Sequence, residues 1–456
     1  MYAGLFRRAL FPAYETLIQR GTHRFLAEYR RNQWLDAESI ARIQLDKLNS
    51  LLEFCWDQVP YLDSAWRKSG LRPRRLESAR ELEDFPILTK QEITGNYLEM
   101  TSHPWRGRSM AKTTGGTTGD PFRFEYTMES YARRTAAMWR SYEWAGAGPG
   151  ERTAYLWGVP TPKRLRNRLK DNAYHWAFNR RVFNANAMLK ESDIADYARA
   201  IDQYRPVVLV GFVRSVLAMA RWISRTGHSV RGLASIVTGA EALYEAERKE
   251  IESAFACPVF NTYGSREFML IAAECERRAG LHVNADHLVV ELVDREGRGV
   301  SGEPGDVVVT DLHNFAMPLV RYRNGDRATA KHKGTCACGR GLPLLQSVDG
   351  RILDMIVTPD GRNVPGEFFV YVMLGRTAVK RYQVVQVETD ALEVRIMSND
   401  ALPLSERDRM IAQIAEVTGP AMRIAVVKVD EIDEPASGKR RVTVSLESFR
   451  ARGGRR

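Results

Sequence analysis

Between Lys112 and Phe122 the chain reads Lys-Thr-Thr-Gly-Gly-Thr-Thr-Gly-Asp-Pro-Phe, with four threonines and three glycines in eleven residues. Glycine opens backbone conformations closed to other residues. Threonine hydroxyls and freed backbone N–H groups can then point at one centre, which is what a cluster of phosphate oxygens needs. A P-loop is excluded, because Asp120 stands where that motif requires Lys. The competing reading is a Gly/Thr turn joining two strands, and this stretch alone does not separate the two.

Other groups able to do chemistry follow in order. Asn261-Thr262-Tyr263-Gly264-Ser265-Arg266-Glu267 comes after a predicted strand at Pro258–Phe260. The Tyr263 ring can stack on a base, and Glu267 can hold a Mg²⁺ that neutralises phosphate charge. Gly239-Ala240-Glu241 ends another predicted strand, where backbone can border an adenine. In Arg321-Tyr322-Arg323-Asn324-Gly325-Asp326, a carboxylate after a Gly turn suits two ribose hydroxyls, both donors. Gly350-Arg351-Ile352-Leu353-Asp354 precedes a change of pattern, and Pro435-Ala436-Ser437-Gly438-Lys439-Arg440 is a turn carrying a cation. Cys275, His282, Cys336 and Cys338 supply three thiols and an imidazole, the ligand set of a closed tetrahedral zinc site. The plain alternative is unconnected thiols and a surface His. Cys55 and Cys257 read as core residues.

The elements that must position these groups follow from periodicity. At 456 residues the chain is too long for one compact core. Ala41, Leu45, Leu48, Leu52, Cys55 and Val59 make one apolar helix face that Pro60 ends. After the Thr/Gly stretch and a helix near Glu129–Trp144 come short apolar runs at Thr153–Trp157, Val207–Phe212, Ser235–Thr238 and Pro258–Thr262. Helical stretches at Ile194–Tyr204, Ser215–Thr226 and Tyr244–Ala254 separate them, so an α/β fold with largely parallel sheet is expected. From Leu288 the strands lose their helices and read as antiparallel: Leu288–Val293, Asp306–Thr310 and Leu319–Tyr322. A compact α+β unit follows, with a hairpin at Arg381–Glu388 and Ala391–Met397, a helix at Ser405–Val417, and strands at Met422–Val429 and Arg441–Leu446. The expected organisation is a large domain over 1–353 and a small one over 354–456. Residues 1–35 mix Leu5, Phe6, Leu10 and Phe11 with Arg7, Arg8, Arg20 and Arg24. Such a segment either lies on anionic lipid or, as this kind of stripe more often does, packs on the main body.

Composition narrows the partners. The chain is 44% apolar and 27% charged, as globular proteins are. A formal charge of +11 favours anionic partners such as nucleotides, coenzyme A or lipid headgroups. No aromatic-interleaved basic repeat points to nucleic acid. Arg7 and Arg8 interrupt any signal-peptide core, no run reaches membrane-spanning length, and five Cys suit a reducing cytoplasm.

Taken together and in this order, the motifs resemble those of the adenylate-forming acyl-CoA ligases. The closer resemblance is to the phenylacetate-CoA ligase family, CapK-type members included. It is carried by Thr114-Gly115-Gly116-Thr117-Thr118-Gly119, by the run Leu312 to Arg323, and by Val59-Pro60-Tyr61, and it covers about residues 40–445. The resemblance implies a hinged two-domain ligase. It would use ATP and Mg²⁺ to turn a small carboxylic acid, aryl- or arylacetate-like by default, into an acyl-adenylate and then a coenzyme A thioester. By the same resemblance Thr113, Thr114, Gly115, Gly116, Thr117, Thr118 and Gly119 hold the ATP phosphates. Gly239, Ala240, Glu241, Tyr263, Gly264 and Ser265 border the nucleotide, and Glu267 binds Mg²⁺. Asp326 and Arg351 hold the ribose, Asp354 is the hinge, and Lys439 reaches the reacting carboxylate and α-phosphate. Some members carry zinc near Cys275–Cys338, where the metal would be structural. Two departures stand out: Asp120 replaces the usual Lys, and Arg266 shifts the hydroxyl after Ser265 by one place. They leave open an adenylate-forming enzyme with a different acceptor, in polysaccharide or secondary metabolism, or a non-catalytic nucleotide-binding descendant.

Overall fold

The computed structural model describes residues 2–113, 122–158, 165–185, 188, 191–331, 336–351, 356–361, 363–364, 366–373, 376, 378–398, 402–432 and 442–451. Thr114 to Asp120, Asp354 and Lys439 lie outside the described residues. The chain divides into two compact units. One comprises 1–114, 122–243 and 250–348, and the other comprises 115–121, 244–249 and 349–456.

In the first unit, β1 (Met110–Thr113) and β2 (Arg123–Tyr126) form an antiparallel pair that brackets the Thr/Gly stretch. Then come β3 (Thr153–Trp157), β4 (Arg180–Asn184), β5 (Val208–Phe212), β6 (Ser235–Gly239) and β7 (Val259–Tyr263), all parallel. Every residue of β5 and β6 is buried, the mark of strands covered on both faces. The helices Glu191–Tyr204, Val213–Thr226 and Glu245–Phe255 connect them, as the alternating apolar runs predict. The sheet continues through β8 (Ala272–Glu274), β9 (Leu281–Val283), β10 (Leu288–Val293), β11 (Pro304–Asp311), β12 (Tyr322–Ala330) and β13 (Leu344–Arg351). Its strand order is β10-β11-β12-β13-β9-β8-β7-β6-β5-β3-β4.

Three elements differ from expectation. Antiparallel pairing begins at β7 and β8, earlier than Leu288, because strands of three residues leave no alternation to read. The run Leu319–Tyr322 is not a strand: Met317, Leu319 and Val320 are buried in irregular backbone, and the strand starts at Tyr322. The helix Leu165–Ala177 and β4 sit in a basic stretch without apolar periodicity.

The helix Ala37–Gln58 starts where Asp36 accepts the Ser39 N–H at 2.7 Å. It buries Leu48, Leu51, Leu52 and Cys55, each such Leu contributing about 1.5–3 kcal/mol. The first helices pack on the body, with Phe6 and Phe11 buried against Phe178.

The second unit holds β14 (Ile356–Val357), β15 (Asn363–Val364), β16 (Val379–Glu388), β17 (Ala391–Ser398), β18 (Arg423–Lys428) and β19 (Thr443–Val444). The last four form one sheet in the order β18-β17-β16-β19. Helix Leu404–Thr418 buries Met410 and Ile414 in the same small core as Val384, Leu392 and Val394.

Candidate active site

Tyr263 is the last residue of β7 and is buried. Its hydroxyl donates to Asp326 Oδ2 at 2.9 Å, and Asn324 Nδ2 donates to both, at 2.7 Å to the phenol oxygen and 3.0 Å to the carboxylate. The Asp326 N–H donates to Asn324 Oδ1 at 3.0 Å, so the acid and the amide hold each other. Burial, reinforced by the Asp326 charge, drives the Tyr263 phenol well above its usual pKa and keeps it a donor. Asp326 reaches Tyr263 because β12 bulges. Arg323 pairs with Val308 and Arg327 with Asp306, so three residues on β12 stand against one on β11. Gly325, at φ +83°, allows the excursion.

The turn after Tyr263 is tight. A side chain at Gly264 would collide with the Met269 carbonyl, and the Ile271 N–H donates to the Tyr263 carbonyl at 2.8 Å. This turn carries Ser265, whose buried hydroxyl has no partner among the described residues, and Glu267, half-buried and without a cationic partner among them. The Glu267 charge also raises the Tyr263 pKa, placing it within electrostatic reach of the Tyr–Asp pair.

Both ends of the Thr/Gly stretch come to this region. Arg266 donates to the Thr113 carbonyl at 2.8 Å. Phe122 stacks on Tyr322 at 5.8 Å, and Tyr322 lies 6.1 Å from Phe268. One strand away, Gly239 ends β6, where a Cβ would lie 2.6 Å from Thr262 Oγ1, a close approach that requires glycine. Ala240 follows at φ +67°. The Glu241 carboxylate accepts the Arg214 N–H at 2.7 Å, satisfying a free donor in the first turn of helix Val213–Thr226.

Thr113, Tyr263, Gly264, Ser265, Glu267 and Asp326 are thus drawn together, with Gly239 at the end of the neighbouring strand and Ala240 and Glu241 just after it. Arg351 is the last residue of β13. Sequence reasoning missed two residues here. Asn324, visible only as the residue before Gly-Asp, clamps the Tyr–Asp pair. Arg266, which reads as a misplaced hydroxyl position, ties the turn to β1.

The metal-ligand residues also converge. The ligand atoms of Cys275, His282, Cys336 and Cys338 all lie within 4.8 Å of one another. Cys275 Sγ is 3.6 Å from Cys336 Sγ, and Cys338 Sγ is 3.3 Å from His282 Nε2. Ligand atoms of a tetrahedral zinc, at about 2.0–2.3 Å from the metal, stand roughly 3.3–3.8 Å apart, so these two pairs already have the spacing that the ion requires. His282 Nδ1 faces the Leu342 carbonyl at 3.2 Å, leaving Nε2 toward the thiols, and burial pushes the imidazole down to about 4, keeping it neutral. Backbone N–H groups of Arg277 and Arg340 point at Cys275 and Cys338 sulfurs, at 3.4 and 3.5 Å. Burial opposes the Cys338 thiolate, but the Arg340 N–H and guanidinium and the neighbouring thiols outweigh it and hold that thiol below its usual value.

The chain is similar to known proteins along most of its length. The CapK C-terminal domain family matches residues 356–445. A phenylacetate-coenzyme A ligase of Thermus thermophilus is 23% identical over 448 residues, covering 90% of this chain and 98% of the relative. Protein CapK of Staphylococcus aureus is 22% identical, covering 68% of this chain and 66% of the relative. Among solved structures, 2-hydroxyisobutyryl-CoA ligase in the postadenylation state with 2-HIB-AMP superposes with a TM-score of 0.74 at 19% identity, over 93% of both chains. The fold is therefore that of the adenylate-forming ligases, and over most of its length the chain is similar to phenylacetate-CoA ligases and to protein CapK.

Proposed function

We propose that the protein activates a carboxylic acid with ATP and passes the acyl group to coenzyme A. A carboxylate is a poor electrophile because its charge repels nucleophiles. Attack of its oxygen on the ATP α-phosphorus forms the acyl–adenylate bond and releases pyrophosphate. The thiolate of coenzyme A then attacks the acyl carbon and AMP leaves. The observation that carries this reading is the meeting of Thr113, the Tyr263–Glu267 turn and Asp326 in one region of the first unit. Relatives and structural neighbours named as CoA ligases support it.

In this reading Tyr263 borders the adenine together with the backbone of Gly239 to Glu241, and Asp326 accepts the ribose hydroxyls; Arg351 is assigned to the ribose from the family resemblance. Thr113 leads into the phosphate-holding run Thr114 to Gly119. Glu267, uncommitted to any cation among the described residues, would hold Mg²⁺, which supplies positive charge to the phosphates. The unpartnered Ser265 hydroxyl has a donor to give a nucleotide oxygen. Lys439 is assigned to the reacting carboxylate and α-phosphate, and Asp354 to the hinge, both from the family resemblance. Cys275, His282, Cys336 and Cys338 hold a structural Zn²⁺, since four protein ligands leave no open position. The acid is aryl- or arylacetate-like, and the free thiols suit a reducing cytoplasm.

The test is ATP–pyrophosphate exchange across a panel of carboxylic acids, followed by thiol consumption with coenzyme A. Exchange with at least one acid, lost in Lys439→Ala while ATP still binds, is expected. No exchange with any acid at saturating Mg²⁺ refutes the reading. Exchange without thiol consumption transfers the second half-reaction to another acceptor.

A further inference from the structure

Apart from the Tyr263–Asp326 pair, the first unit has an open cavity of about 160 Å³ lined by Ile18, Arg20, Met110, Tyr126, Met128 and Tyr131. Its walls come from the turn after helix Phe11–Leu17, from β1, from the end of β2 and from the first turn of helix Met128–Glu143. Two methionines and two tyrosine rings make it chiefly apolar. Polarisable sulfur beside aromatic faces suits an aromatic guest. An apolar cavity of about 150 Å³ takes benzene, so this one has room for a single ring.

One cation stands beside the cavity with nothing to match it. Alternate residues of a strand share a face, so Lys112 lies on the Met110 side of β1. Its ammonium is 5.3 Å from the centroids of the Tyr126 and Tyr131 rings, two of the cavity walls. Lys112 is half-buried. Burial lowers its pKa, and the Arg134 and Arg266 charges lower it further, with no carboxylate among the described residues to offset them. The acids nearest the cavity are already matched: Glu15 with Arg20, Glu129 with Arg133, and Asp311 with Arg134. The tyrosine faces offset part of the Lys112 charge. The remainder favours an anion, because a carboxylate on an ammonium makes a charge-assisted hydrogen bond.

We propose that this cavity binds a small aryl carboxylate, its ring against Met110, Met128 and Tyr131 and its carboxylate on the Lys112 ammonium. Lys112 immediately precedes Thr113, so an anion held there removes positive charge from the start of the proposed phosphate run and weakens ATP binding. That effect rests on the ligase reading, whereas the binding itself does not. An aryl acid at excess then inhibits the enzyme that activates it.

The test uses the full chain without nucleotide, isotope-labelled at the methionine methyls and followed by NMR, with Met110→Leu and Met128→Leu assigning the two signals. Benzoate should shift both signals saturably. Benzyl alcohol, which has the ring without the charge, should bind about tenfold more weakly. Lys112→Met should weaken benzoate by about the same factor and Lys112→Arg by much less, with the other methionine signals unmoved as the folding control. The proposal is overturned if benzoate leaves both signals in place, if benzyl alcohol binds equally well, or if Lys112→Met binds benzoate as the wild type does. With ATP present, excess benzoate should raise the KM for ATP in pyrophosphate exchange several-fold. A KM that stays constant while both methyls shift overturns the inhibition. Absence of exchange with every acid refutes the ligase reading alone, and the methyl shifts still decide the site.

Discussion

Removing the Tyr263 hydroxyl tests whether Asp326 is held ready for a ribose. In Tyr263→Phe, Asp326 Oδ2 loses the phenol at 2.9 Å but keeps Asn324 Nδ2 at 3.0 Å. Asn324 keeps Asp326 as acceptor for one amide N–H and loses the phenol oxygen for the other, which water can reach because Asn324 is half-buried. Two hydrogen bonds are lost, and the one that bears on Asp326 is charge-assisted, about 1.5–3 kcal/mol when fully buried. Asp326 is only half-buried. Water replaces part of the bond, which leaves about 1–1.5 kcal/mol. At 1.4 kcal/mol per factor of ten, the KM for ATP should rise roughly five- to tenfold. The ribose contact is the same in the ground and transition states, so kcat should change little. Pyrophosphate exchange as a function of ATP concentration measures both, and Asp326→Ala sets the upper limit of the effect. An unchanged KM in Tyr263→Phe beside a raised one in Asp326→Ala means that the phenol does not orient the acid. An unchanged KM in both removes the ribose from this site.

Elemental analysis should find one zinc per chain. Stripping it with a chelator, or Cys336→Ser, should lower Tm by on the order of 10 °C, with exchange activity lost only as the protein unfolds. Near-zero metal in freshly purified protein rejects the site. His287 bears on acid stability. Its Nδ1 lies 3.1 Å from the Tyr29 hydroxyl, it stacks on His313 at 5.3 Å, and burial holds it at about 4, with His313 also well below its usual value. The unfolded chain takes up these protons near pH 6.5, before the folded chain does. Stability is therefore full above 6.5 and falls between 6.5 and 4, by up to about 1.4 kcal/mol per pH unit for each group. Denaturant titrations of His287→Asn across that window should show a shallower slope, and an identical slope contradicts the assignment. Lys112 concerns charge at the phosphate run. It lies 5.3 Å from the Tyr126 and Tyr131 rings, without an acidic partner among the described residues, while residues 113–122 contain Asp120 and no cation. Lys112→Met should raise the KM for ATP several-fold and Asp120→Lys should restore it. Failure of the rescue confines Lys112 to its aromatic contacts.

The parallel strands were legible because each is a short apolar run set between amphipathic helices, and burial on both faces demands that pattern. The edges of the small strands β8 and β9 were not, since three residues carry no period. Irregular but buried Met317 to Val320 mimicked a strand because apolar composition reports burial, not backbone state. The metal-ligand residues were legible as residue types. Their convergence was not, because Cys275 and Cys336 are separated by four strands and meet through sheet order. The role of the first helices was half legible: the sequence shows their apolar residues, and only the fold shows that Phe6 and Phe11 are consumed in the core while Leu5 and Leu17 are left outside.

The shifted residue at Arg266 acquires a reason from its contact. A run rich in glycine and threonine has many backbone states, and holding it for a ligand requires its two ends to be fixed. Phe122 fixes one end by stacking on Tyr322, the residue that opens the strand bearing Asp326. Arg266 fixes the other by its bond to the Thr113 carbonyl, from the turn bearing Glu267. A hydroxyl at position 266 could not span that distance, whereas a guanidinium can. The residue that departs from the resembled pattern thus ties the start of the proposed phosphate run to the turn bearing the proposed Mg²⁺ ligand.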